Sequence, residues 1–169
     1  LNASMQVSHD KFNTFYESVI LHTREPHGVQ AIGFARWIPA TELTTFESRI
    51  RTERFPDFSV HPPGPRQSYS AIELLEPFDG RNQRAFGYDM YSEPIRREAM
   101  QRAAESGRAA LSGKVRLIQE TEQDLQQGAL LYLPVYGDKE LPTQANKRRL
   151  VGWTYTELRL KDLAKTALD

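Results

Sequence analysis

The stretch "GALLYLPVY", residues 128–136, is the most apolar run in the chain and decides the reading of the fold. Nine residues are too few for a buried helix and suit a strand covered on at least one face. Pro134 is awkward there, because proline cannot donate to a ladder. The run is nonetheless read as an interior strand. Outward from it, "GDKELPTQANKRR" (137–149) reads as a polar loop, "LVGWTYTEL" (150–158) as a final strand and "RLKDLAKTAL" (159–168) as a final helix. Upstream, short strands are expected near Arg108–Leu111 and Lys114–Glu120.

Nearer the N-terminus, Phe12, Tyr16, Val19 and Ile20 space an amphipathic helix over about 9–23. "VQAIGFARWI" (29–38) is a strand stopped by Pro39, and Leu43, Phe46 and Ile50 mark a second helix. Pro56, Pro62, Pro63, Gly64 and Pro65 make a rigid loop with a short strand, Phe58–Val60, inside it. "YSAIELLEPF" (69–78) and Ala85–Asp89 read as further strands. Ser92 is the expected N-cap of the next helix, with Pro94 in its first turn, a buried stripe of Ile95, Ala99 and Ala103, and Gly107 as C-cap. Strands and helices do not alternate as βα units, and no phosphate-binding glycine loop is present. The fold class expected is α+β: a PAS-like antiparallel sheet of about five strands flanked by helices, with an N-terminal stalk helix.

Composition narrows the function. The 169 residues suit one domain. Lys+Arg and Asp+Glu each number 22, so no electrostatic footprint for nucleic acid or an anionic membrane appears. There is no cysteine, hence no thiolate nucleophile, disulfide or zinc–thiolate site. His9, His22, His27 and His61 show no metal-ligand spacing, and no metal or cofactor is expected. No serine sits in a glycine-flanked elbow. Glu73, Glu76, Asp79 and Asp89 could be imagined as a glycosidase pair, but solvated surface explains most of the 22 acids.

One carboxylate stands out. In "RAFGYDMYSEPIRREAM" (84–100), Asp89 lies between Tyr88, Met90 and Tyr91 just before a helix. Burying it is costly unless something donates to it. A cap, an arginine partner and a ligand anchor all remain open from the pattern alone.

"VQAIGFARWIPATELTTFESRIRTERFPDFSVHPPG", "FGYDM", "REAMQRAAESGRAALSGKVRLIQET" and "GALLYLPVY" together, in this order, resemble the CHASE domain. The resemblance covers about Pro26 to Leu168. CHASE domains are extracytoplasmic sensor regions of transmembrane histidine kinases, diguanylate cyclases and related receptors, including the plant cytokinin receptors. In the family a stalk helix leads into a membrane-distal PAS-like domain that holds the ligand, followed by a membrane-proximal one. The resemblance therefore implies a truncated stalk over 1–28, a ligand-binding domain over 29–157 and a connecting helix over 158–169. It implies a piece of a longer receptor, periplasmic or extracellular, non-enzymatic in itself. A kinase or cyclase output domain and the membrane segments would lie outside it.

The implied site follows residue by residue. Asp89 matches the aspartate that accepts from a purine's N–H groups, so an adenine- or cytokinin-like ligand is implied. Ser106 matches a hydroxyl residue lining the pocket. Ala110, Leu111 and Ser112 match main-chain contacts, Glu120 or Thr121 a polar position at the ligand's tail, and Tyr132 the apolar strand flooring the pocket. Tyr88 and Tyr132 are bulkier than the residues expected in the plant receptors, which narrows the implied cavity. The implied partners are a small molecule and a second copy through the stalk helix, with no nucleic acid. The rival to sensing is a structural or dimerisation module without a small-molecule ligand.

Overall fold

The computed structural model describes residues 7–22, 28–118, 127–141 and 144–166. Helix α1 spans His9–His22 and strand β1 Val29–Pro39. A 3-10 turn over Ala40–Glu42 leads into α2, Leu43–Glu53. Strand β2 is Ser68–Glu76, and 3-10 turns follow at Asn82–Ala85 and Met90–Ser92. Helix α3 is Pro94–Ser106. Strands β3 (Ala110–Leu111) and β4 (Val115–Arg116) are two residues each, β5 is Gln127–Leu141, β6 Gln144–Arg159 and α4 Leu160–Thr166.

The strands form one six-stranded antiparallel sheet in the order β2-β1-β6-β5-β3, with β4 also paired to β5. The α+β class and the antiparallel sheet agree with the sequence reading. The run 128–136 lies inside the sheet, between β6 and the two short strands. Pro134 faces Trp153 on β6, and β3 pairs only with Leu131 and Tyr132, so the missing N–H interrupts no described ladder on that side.

Several boundaries differ from the expectation. The polar run 137–149 is not a plain loop: β5 and β6 continue through it, with Glu140 opposite Arg148. A backbone ladder needs no apolar side chains, so a polar strand and a loop read alike in sequence. Ala85–Asp89 is not a strand. Residues 82–85 form a 3-10 turn, and only isolated bridges tie Tyr88 to His61 and Asp89 to Ala71. Phe58–Val60 likewise carries no named strand.

Helix α3 starts one residue later than expected. Glu93, not Ser92, is its N-cap, with its carboxylate accepting from the N–H groups of Ile95 and Arg96. Ser92 instead donates to the carbonyl of Asp89. Gly107 closes the helix with φ 66°, the left-handed C-cap that its lack of a Cβ permits. The buried stripe is Arg96, Ala99, Met100 and Ala103, while Ile95 is exposed.

The largest core cluster packs Ala99, Met100 and Ala103 against Leu130, Tyr132, Trp153 and Tyr155. Trp153 Nε1 donates to the carbonyl of Met100 at 3.0 Å, joining α3 to β6. A second cluster sets Phe46 and Ile50 of α2 against Ile38 and Tyr69. A third places Phe12 of α1 on Phe34 and Leu74.

Candidate functional site

The segment before α3 is pinned by backbone bonds on two sides. His61 N donates to Gly87 O and Asp89 N to His61 O, while Gly87 N donates to Ile72 O and Ile72 N to Tyr88 O. Gly87 makes this possible. Its φ is 82°, and a Cβ there would lie 2.6 Å from the carbonyl oxygen of Ser59. The stitched segment delivers Asp89 to the edge of β2, where it is completely buried.

Both local readings of Asp89 are realised at once. Oδ1 accepts from Tyr91 N at 3.1 Å, capping the 3-10 turn, and from Ser70 N at 2.7 Å. Oδ2 has no hydrogen bond, and its ion-pair partner is Arg66, with Nη1 3.5 Å away. The hydroxyl of Ser70, also buried, is unpartnered too. Arg66 is held over the ring of Tyr69 and donates to the carbonyls of Pro62 and Gly64. Burial pushes the carboxyl of Asp89 above its ordinary 3.8, while the Ser70 and Tyr91 N–H groups and Arg66 pull the other way.

The other residues singled out from the sequence fall into separate groups. Ala110 and Ser112 are buried, and Ala110 pairs with Tyr132 across β3 and β5. Ser112 Oγ accepts from Leu130 N and donates to Gly113 O. Tyr132 is wholly buried and its hydroxyl reaches Met90 Sδ at 3.4 Å. That contact joins the Asp89 neighbourhood to the β3–β5 group through the residue next in sequence. Leu111 and Ser106 are exposed, and Ser106 Oγ donates to the carbonyl of Arg102. Glu120 and Thr121 lie outside the described residues. Asp89 lines neither of two surface clefts, one of about 540 Å³ beside Tyr88 and one of about 420 Å³ among Phe55, Phe58, Phe78 and Phe86.

Sequence reasoning missed Arg66 and Ser70, the partners of the Asp89 carboxylate that lie far from it in the chain. Only their place in a Pro-rich loop and an apolar strand was visible, and nothing local says that they meet a carboxylate 19 or more positions away. Among the described residues no three His, Asp or Glu side chains gather to hold a metal ion.

The CHASE domain family profile matches residues 5–169, essentially the whole chain, and the protein belongs to that family. No curated protein matches it. CHASE domains are extracytoplasmic sensor domains of receptors, with a sensory and not a catalytic role. A sensor domain implies a small-molecule ligand. Among the described residues no helix is long and apolar enough to cross a membrane.

Proposed function

We propose that this domain binds a small molecule bearing N–H or O–H donors, of the adenine or cytokinin type, with Asp89 as its anchor. The observation that carries the reading is the buried Oδ2 of Asp89, which lacks a hydrogen bond beside the equally unpartnered Ser70 hydroxyl. Oδ1 is committed to holding the backbone, so Oδ2 is the atom left for a ligand. Arg66, the ion-pair partner of that oxygen, is 25 % exposed along its side chain, and on this reading it yields its place to the ligand. On this reading Ala110, Leu111, Ser112 and Tyr132 form the floor and wall, Ser106 the rim, and Glu120 and Thr121 the far end. The domain is PAS-like, spans 29–157, and is carried on a stalk that includes α1, with α4 as the connecting helix. Binding favours one arrangement of the sheet against α1 and α4 and biases a kinase or cyclase output domain. Two copies pair through the stalk.

Asp89→Asn is the test. Asparagine keeps an acceptor for Ser70 N and Tyr91 N but replaces the charged acceptor at Oδ2. Calorimetric titration with adenine and isopentenyladenine should show affinity falling about ten- to a hundred-fold, the scale of one charge-assisted hydrogen bond. Equal affinity in variant and parent overturns the reading.

One observation favours the rival, a structural or dimerisation module. Tyr132 and Tyr155 are both buried in the main core cluster, their rings 6.4 Å apart, and neither lines the two surface clefts. If no such molecule raises the melting temperature, and sedimentation shows a dimer lost on removal of residues 1–22, the module reading stands instead.

A further inference from the structure

We infer that the cleft between the start of α3 and β4 is a second ligand site, for a small organic carboxylate with an apolar or aromatic body. Its volume of about 540 Å³ lies within the range of small-molecule sites. Three cations, Arg96, Lys114 and Arg116, line it together with one carboxylate, Glu93. That carboxylate is already committed, because it caps the N–H groups of Ile95 and Arg96. The local field therefore favours an anion.

Arg96 is the built part of the site. It is 3 % exposed, an unusual burial for an arginine. Its Nη2 donates to the carbonyl of Arg116 at 2.7 Å, Nη1 lies 3.4 Å from Glu93, and the guanidinium sits over the Tyr88 ring. These contacts hold the fork in place. Its Nε–H is buried and has no acceptor. A buried donor left unmade is costly, and a carboxylate is the planar acceptor a guanidinium edge fits best. Ile95, Leu117 and the Tyr88 ring supply apolar wall, which a bare inorganic anion leaves unused. Tyr88 precedes Asp89 in the chain, but the cleft's charged groups Glu93, Arg96, Lys114 and Arg116 are not part of the Asp89 site, so the inference does not rest on it.

The experiment titrates the whole chain with hexanoate and benzoate, and with hexanamide and benzamide as neutral controls, following methyl NMR signals of Ile95 and Leu117. The carboxylates should shift both methyls saturably, and the amides should bind at least about ten-fold more weakly, the scale of one charged hydrogen bond. Lys114→Gln and Arg116→Gln are exposed changes expected to weaken hexanoate several-fold while leaving the melting temperature unchanged. Arg96→Lys, which keeps charge but loses the fork, should weaken it about ten-fold. Asp89→Asn should leave carboxylate binding intact. Absence of a saturable shift, equal binding of the amides, indifference to both surface variants, or loss of binding in Asp89→Asn each overturns the inference.

Discussion

Ser70 and Asp89 are joined across 19 positions by one bond: the Ser70 N–H donates to Asp89 Oδ1 at 2.7 Å, with both residues fully buried. This bond makes the carboxylate part of the sheet edge before any ligand is considered. Its energetic consequence is testable by pH. Burial raises the folded-state pKa of Asp89 above 3.8, so between 3.8 and that higher value the folded chain holds more proton than the unfolded one. The stabilisation is fully present below 3.8 and is lost as pH rises through the folded value. Asp89→Asn lacks this term. Chemical denaturation at stepped pH should show the parent losing stability relative to Asp89→Asn as pH climbs through the window. A gain in that direction contradicts the assignment.

Glu73 is clamped by two arginines. Its Oε2 pairs with Arg36 Nε and its Oε1 with Arg49 Nη2 at 2.6 Å, with only 4 % of its side chain exposed. Removing one arginine leaves the other, so Arg49→Ala should cost about 1–2 kcal/mol. Removing both leaves a buried charge unpaired, and the double variant should lose about 3–5 kcal/mol. The two substitutions should therefore combine non-additively in a double-mutant cycle. Additivity within about 0.3 kcal/mol would mean that the arginines act separately.

Gly87→Ala should destabilise by more than about 1 kcal/mol. The residue holds φ 82°, and the added methyl meets the backbone of Ser59, which cannot swing aside like a side-chain tip. The loss should appear as a lower denaturation midpoint with an unchanged m-value.

His9 ties α1 to the domain, with its ring 5.1 Å from Phe55 and 5.7 Å from Phe86. Burial lowers its pKa below 6.5, against the pull of Glu73 and Glu53. Between the lowered value and 6.5 the unfolded state holds more proton, so this stabilisation is present above 6.5 and falls as pH drops. Amide exchange along α1 should accelerate as pH is lowered through that window, after correction for intrinsic rates. His9→Phe should abolish the effect, and persistence of the slope in that variant rules His9 out as its source.

The sequence by itself determined the elements whose signals are local. Run 128–136 is a strand inside the sheet, with Leu130 and Tyr132 buried on one face while Leu131 and Leu133 stay exposed on the other, and Gly107 ends α3 in the left-handed φ 66° that glycine takes without strain. It also determined that Asp89 needs a donor, since its neighbours in the chain are large and apolar. The Tyr91 N–H, two positions on, is a local cap, and the tertiary structure alone decided the distant partners: the donor Ser70 N–H on β2 and the ion-pair partner Arg66 in the Pro-rich loop. It decided that β5 and β6 extend through a polar run, because ladder bonds are made by backbone that every residue shares. It decided that Arg96 and not Ile95 is buried, because the carbonyl that receives Arg96 belongs to Arg116, 20 positions away. Periodicity reports which face of a helix is apolar, whereas the partners of a buried charge are set by contacts that no local pattern encodes.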